Sequence, residues 1–496
     1  MSRSTKTVFR LSFHDFYAIL LAAIIVSISA SVAQSATFGQ NNVNYTYFTW
    51  KFLTTEHFNI YYNQDGREIA DLAAEIAEDA FEELSQKFGY VHDYNDPISV
   101  ITYQSHNDFE QTNLSGVSPS ESTGGFTEFL KNRVVVPFEG NHEKFRHVLH
   151  HELTHAMFLN HLFGKGFGAV VTGLTQSRIP LWFTEGLAEY QSRGGLDLET
   201  EMILRDAVIN DLLPELQQFD MLGYAGVYKA GQSVIYWIAM RYGDEKIGEM
   251  LRHIRDMRDF DRALRASIGI DQKELSKRWR RWIKERYWPQ VVKMDELDKS
   301  STRLTNHQED YCYINNSPAI SPNGEWIAFL SDRSDYFDVY LMSTLDGKVH
   351  RRLVRGQRSG RFEELHWLRP GISWSPNGKN IAFCAKSGGE DALYIIDVQE
   401  GRVTNTFKFN SDGLFSPSWS PDGKNIALIH VLNGRSDLAI VNVTSGKLQK
   451  ITSDIYDEAD PSWSSDSRSL LFTSNRGDAP LDQSERANKS ILFTDY

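Results

Sequence analysis

The order of apolar and polar residues divides this chain into two stretches. Thr55–Tyr62 alternates apolar with polar, which predicts a strand, and Ile98–Thr102 reads as another. Between them Arg67–Phe88 is amphipathic at helical spacing, and Gly89 supplies its stop. Thr123–Glu128 followed by Arg133–Pro137 reads as a turn and then a strand, the strand forming an edge on which an extended peptide could lie. Gln232–Tyr242 is a helical run, and Asp271–Trp288 a last helix whose tryptophan stripe is core. Residues 38–290 are therefore expected to form an α+β domain, long enough for a substantial core. Residues 291–302 are polar and read as a linker.

From 303 onward the period becomes that of short strands, and one string recurs. It begins at Ser321, Ser375, Ser420 and Ser464, at offsets of 54, 45 and 44 residues. That is close to the 40–45 residues of a four-stranded propeller blade. Asn-Gly or Asp-Gly makes a hairpin turn and the apolar run after it an inner strand. A second strand follows each time, at Asp338–Met342, Leu393–Val398, Leu438–Val443 and Ile491–Thr494. Trp374, Trp419 and Trp463 precede three of the turns as packing residues. The pattern resembles the TolB-type β-propeller of bacterial cell envelopes. About four blades are visible and the chain stops at Tyr496 inside the fourth, so the expected propeller (303–496) is partial; an incomplete gene product or fragment is the simplest reading and a shorter propeller the alternative.

The first 36 residues change the compartment. Arg3, Lys6 and Arg10 open the chain, Phe16–Ala30 is apolar, and Ser31-Val32-Ala33 offers a small-x-small cleavage site, so residues 1–36 read as a secretory signal. The apolar run is shorter than the roughly 20 residues that span a bilayer, so no stable membrane span is expected after cleavage. The whole chain carries −13, and losing the signal leaves about −15. That balance excludes nucleic acid as a partner. Two cysteines, Cys312 and Cys384, rule out a disulfide-built scaffold; neither has metal-site spacing, and two free thiols are expected rather than a bridge.

The chemistry sits in His151-Glu152-Leu153-Thr154-His155. Residues four apart on a helix point the same way, so His151 and His155 can grip one zinc ion. Glu152, one step round, can accept a proton from a water activated there. The alternative is a surface helix rich in histidine. Two imidazoles need a third protein ligand and an open position. His161 has the metzincin spacing, but Phe158 stands where that class has a helix-ending glycine, so His161 is expected to be exposed just past the helix end.

The better third ligand is Glu185, in Trp182-Phe183-Thr184-Glu185-Gly186-Leu187-Ala188-Glu189-Tyr190. Pro180 suits a helix start, and Glu185 and Glu189 share one face. Here the chain resembles the gluzincins, and more closely the bacterial peptidase MA-like group. The resemblance implies Glu185 on zinc, and Glu189 behind a ligand histidine, accepting a proton from its far nitrogen. It also implies that Tyr228, in Tyr228-Lys229-Ala230-Gly231, stabilises the oxyanion, with a half-buried structural tyrosine as the alternative and Tyr224 close by. The aminopeptidases' Gly-x-Met-Glu-Asn signature is missing, and Glu128 is a poor substitute, which favours internal cleavage.

The sequence thus reads as an exported, periplasmic or envelope-associated zinc metallopeptidase with one zinc per chain. It would act on a protein or peptide substrate, with a propeller that recognises the substrate or an envelope protein partner. The rival is a non-catalytic envelope binding or assembly protein in which the peptidase domain is a scaffold. A third reading is hydrolysis of a non-peptide amide.

Overall fold

A computed structural model describes residues 44–476, apart from 65, 91–96, 116–118, 129–130, 165–178, 294, 296–298, 370 and 455. The signal segment, most of the glycine-rich stretch 164–168 and the expected strand Ile491–Thr494 lie outside the described residues.

The N-terminal half is built on a five-stranded sheet. β1 (Trp50–Thr54), β2 (Phe58–Asn63), β3 (Ile98–Tyr103), β4 (Phe126–Glu128) and β5 (Arg133–Pro137) lie in the order β1-β2-β3-β5-β4. β2, β3 and β5 run parallel, which requires crossovers, and α1 (Arg67–Phe88) makes the first. It ends where Gly89 turns left-handed at φ 65°. The edge beside the His-Glu-x-x-His string is β4, not β5 as the pattern suggested. β5 lies inside the sheet with buried Val134, Val135 and Val136, while β4 has only three residues, too few to show a period.

α2 (His142–Phe163) packs on this sheet and carries the His-Glu-x-x-His string in its middle. Asn141 caps it by accepting from the Lys144 amide at 2.7 Å. Phe145, Leu149, Leu153, Ala156 and Met157 form its buried face. α3 (Leu181–Arg193) crosses α2; α4 (Leu198–Ile209), α5 (Gly231–Tyr242), α6 (Glu245–Met257), α7 (Phe260–Ile268) and α8 (Gln272–Val291) complete the layer. Trp182 and Phe183 at the start of α3 are clamped edge-on by Phe219 and Phe260, and Phe219 in turn by Trp279. Burying each such ring contributes about 1.5–3 kcal/mol, so the helix bearing Glu185 is anchored by aromatic packing. Of the tryptophan stripe on α8, Trp279 is core, whereas Trp288 is exposed with Lys284 over its ring.

The C-terminal half comprises antiparallel sheets. β6 (Asn315–Ile320), β7 (Trp326–Ser331), β8 (Asp338–Ser343) and β9 (Val349–Arg355) form the first. β10 (Ile372–Trp374), β11 (Asn380–Ser387), β12 (Glu390–Asp397) and β13 (Arg402–Lys408) form the second. β14 (Gly413–Trp419), β15 (Asn425–Leu432), β16 (Arg435–Asn442) and β17 (Leu448–Lys450) form the third, and β18 (Glu458–Trp463) with β19 (Leu470–Ser474) a two-stranded fourth. These are the blades of a partial propeller. The recurring string is the turn before each second strand: the hydroxyl of Ser321, Ser375, Ser420 or Ser464 donates to the Asn or Asp two residues on, at 2.6–2.8 Å. Gly324, Gly378 and Gly423 take φ near 70–75° there, and Ser467 accepts φ 58° in the fourth copy. The indoles of Trp374 and Trp463 donate to Ala319 and Ser418 carbonyls in the preceding blades, tying blade to blade. Both cysteines are free and buried.

Polar contacts join the two halves. Glu121 accepts from the Trp367 and Leu368 amides at 2.7 and 3.2 Å, Arg369 pairs with Glu139 at 2.6 Å, Lys386 pairs with Glu110, and Asn107 donates to Asp391 at 3.1 Å.

Candidate metal centre

α2 and α3 cross so that His151, His155 and Glu185 converge. The Nε2 atoms of the two histidines stand 3.2 Å apart, and Glu185 Oε2 lies 3.3 Å from His151 and 3.0 Å from His155. In a tetrahedral zinc site with bonds of about 2.0–2.1 Å, ligand atoms are about 3.3–3.4 Å apart, so these three donors fit the ion. All three side chains are at least 85% buried.

The electrostatics favour a cation. Burial lowers the proton affinity of His151, yet Glu185 and Glu189 at its two nitrogens outweigh that and push it up to about 10. Burial raises the Glu185 carboxyl, but His155 and His151 hold it well below the usual carboxylate range. The pull that keeps a proton between them is the one a divalent ion would use.

Glu189, one helical turn after Glu185, sits behind this trio. Its Oε1 is 3.2 Å from His151 Nδ1 and 3.4 Å from His147 Nε2, while Oε2 accepts from Lys229 Nζ at 2.8 Å. His147, His151 and Glu189 could themselves be taken for a metal set, but Lys229 already supplies the cation there. Lys229 is 1% exposed and also meets Asp197 at 3.0 Å.

Glu152 is buried, and the Thr127 hydroxyl on β4 lies 2.8 Å from its Oε2 and 2.9 Å from its carbonyl oxygen. Tyr228 lies in a π-helical turn, Ala225–Ala230, with its ring stacked 5.9 Å from that of His151. Burial first, then the charges of Glu185 and Glu152, raise its phenol above the ordinary value. Tyr224 packs its ring 5.5 Å from that of Tyr228, but it is half exposed and its hydroxyl donates to Glu199 at 3.0 Å. Gly186 and Gly231 bring α3 and α5 into backbone contact and so set the Tyr228 turn against Glu185.

The sequence reading erred on His161. α2 runs on to Phe163, so His161 is not beyond the helix end but in its last turn, buried beside Tyr90, and burial with Arg255 and Arg252 nearby lowers its pKa to about 4. It takes no part in the cluster. Glu128 is tied to Arg133 at 2.9 Å. His147, Thr127 and Lys229 escaped the sequence reading. Of these His147 left a signal, four residues before His151 on the same helix face.

Comparison with known proteins follows the same division. Residues 76–285 match the Peptidase MA superfamily and residues 367–484 the TolB beta propeller domain. No curated protein matches the chain. Among solved structures it is similar to TolB from Acinetobacter baumannii, at 20% identity and a TM-score of 0.28 over 32% of this chain and 37% of that one. It is also similar to a putative TolB from Agrobacterium tumefaciens, at 22% identity and a TM-score of 0.29 over 34% of this chain. The chain spans only 37% and 57% of those two proteins. A Peptidase MA superfamily domain followed by a TolB-type β-propeller domain is what this chain comprises.

Proposed function

We propose that this protein is an exported zinc-dependent peptidase that cleaves within peptide chains, its propeller recognising the substrate or a protein partner. The observation that carries the reading is the convergence of His151, His155 and Glu185 within 3.0–3.3 Å beside a buried, hydrogen-bonded Glu152. Those three residues would hold zinc, with Glu189 orienting His151. When bound, zinc supplies a Lewis acid that acidifies water and polarises a carbonyl.

The remaining work falls to the chain's own side chains. Thr127 fixes Glu152 so that the carboxylate takes a proton from the attacking water and passes it to the leaving amine. Tyr228 offers its phenol proton to the oxyanion, a hydrogen bond aimed where charge develops. β4 ends the sheet order, and an extended peptide could add to it as a further strand. Among the described residues no helix is long and apolar enough to cross a membrane.

The test is zinc content with cleavage of casein or a peptide library, for the parent and Glu152→Gln side by side. One zinc at this centre in both, with cleavage by the parent alone, supports the peptidase. If both hold zinc and neither cleaves, the scaffold reading replaces it. If neither holds zinc, the ligand set is wrong.

A further inference from the structure

A second cluster of ligand-type side chains lies where the propeller meets the peptidase domain. Glu121 stands on the loop before β4, and Glu364 and His366 on the connection between the first and second blades. Each brings one carboxylate oxygen or ring nitrogen to within 4.8 Å of the others. We propose that Glu121, Glu364 and His366 form a second divalent-cation site that clasps the propeller to the peptidase domain.

The argument begins with His366, whose side chain is 8% exposed. Its Nε2 lies 2.9 Å from Asp391, a carboxylate fully buried and held in turn by Asn107 at 3.1 Å and the Leu414 amide at 2.8 Å. Burial opposes a charge here, but Asp391 and then Glu121, one at each ring nitrogen, outweigh it and raise the imidazole well above its ordinary value, so a bound cation would take the place of the proton on Nδ1. Nδ1 is 3.7 Å from Glu121 Oε1, too far for a hydrogen bond. It is close to the roughly 3.3–3.6 Å that separates donors on one tetrahedral ion with bonds of about 2.0–2.2 Å. A carboxylate behind an imidazole whose other nitrogen is turned to a donor set is the arrangement that orients metal-binding histidines. The His151–Glu189 pair repeats it.

Glu121 is equally fixed. The Trp367 and Leu368 amides donate to its two oxygens at 2.7 and 3.2 Å, which holds the carboxylate beside His366. The neighbouring cations are engaged elsewhere: Lys386 pairs with Glu110, and Lys144 and Arg369 with Glu139 at 2.5 and 2.6 Å. The cavity that Glu121, Glu364, His366 and Glu110 line encloses about 40 Å³, room for an ion and water. Two carboxylates and a neutral imidazole balance a doubly charged ion. The competing account is a proton held on Glu364 and shared with Glu110, which needs no ion.

The experiment counts metal on the full chain, loaded separately with zinc and with manganese and freed of excess. Two ions per parent chain are expected, falling to one in Glu121→Gln/His366→Gln and to a different one in His151→Ala/His155→Ala. A parent ion that survives only in the second variant pair upholds this site while removing the first. Two ions in Glu121→Gln/His366→Gln, or a single parent ion lost with His151 and His155, overturn it. Anomalous diffraction from metal-loaded parent crystals is independent of whether the variants fold: no peak among Glu121, Glu364 and His366 also overturns the proposal.

Discussion

Gly186 and Gly231 allow two helices to touch backbone to backbone. A Cβ on Gly186 would stand 2.3 Å from the carbonyl carbon of Gly231, and one on Gly231 would stand 2.4 Å from the Trp182 carbonyl oxygen. Gly186→Ala must therefore push α5 from α3 and carry Tyr228 off Glu185. Overpacking of this kind costs about 1–3 kcal/mol. A lower melting temperature and a larger fall in peptidase rate than in zinc content are expected. An unchanged melting curve would refute the close packing.

Removing the Thr127 hydroxyl leaves Glu152 without its only side-chain donor among the described contacts. A hydrogen bond to a charged group is worth about 1.5–3 kcal/mol, so Thr127→Val should lower kcat by about 10- to 100-fold. KM should hold, and Thr127→Ser should restore most of the rate. If serine and valine behave alike in steady-state kinetics, the hydroxyl has no role in positioning the base.

Lys229→Met would strand Glu189 and Asp197 beside a buried apolar side chain. Breaking one partner out of a buried charge pair costs about 3–5 kcal/mol, and denaturant titration reads it directly. Because Glu189 also faces His151, zinc affinity should drop about 10- to 100-fold. Adding Glu189→Gln should recover part of the stability, since the orphaned charge goes with it.

His106 gives a pH signature of its own. Burial opposes its charge, but Glu110 and Glu139 at 3.4 and 2.8 Å raise it to about 10 from an ordinary 6.5. The folded state then binds the extra proton, so this contribution is complete below pH 6.5 and disappears as pH rises toward 10. Glu110, also facing Lys386, is lowered to about 2, and its contribution is lost only well below pH 4.5. The melting-temperature gap between the parent and His106→Gln should narrow from pH 6 to 10. A constant gap would exclude the His106 charge as its source.

The strongly periodic parts of the fold are legible in the sequence. α1, with its glycine stop, and the second and third strands of the first three blades lie where alternation and helical spacing put them. The first strands did not show, for a physical reason. β6, β14 and β18 each contain a bulge, at Ser317, Ser416 and Asp460, where φ is near +50° and a proline follows. A bulge shifts side chains to the opposite face and erases the two-residue period. In the candidate metal centre, residues carried by short-range strings are readable. Thr127 and Lys229 act across sequence gaps of 25 and 40 residues, which no local pattern encodes.

The root of α2 rests on the propeller. A Cβ on Gly140 would be 2.9 Å from that of Ser436, and the His142 amide meets Asp457 at 3.4 Å. His151 lies nine residues along the same rod, about 14 Å away. A helix is stiff over that length, so α2 behaves as a cantilever clamped by the third and fourth blades, and a tilt imposed by a load on the propeller arrives at the histidines as displacement.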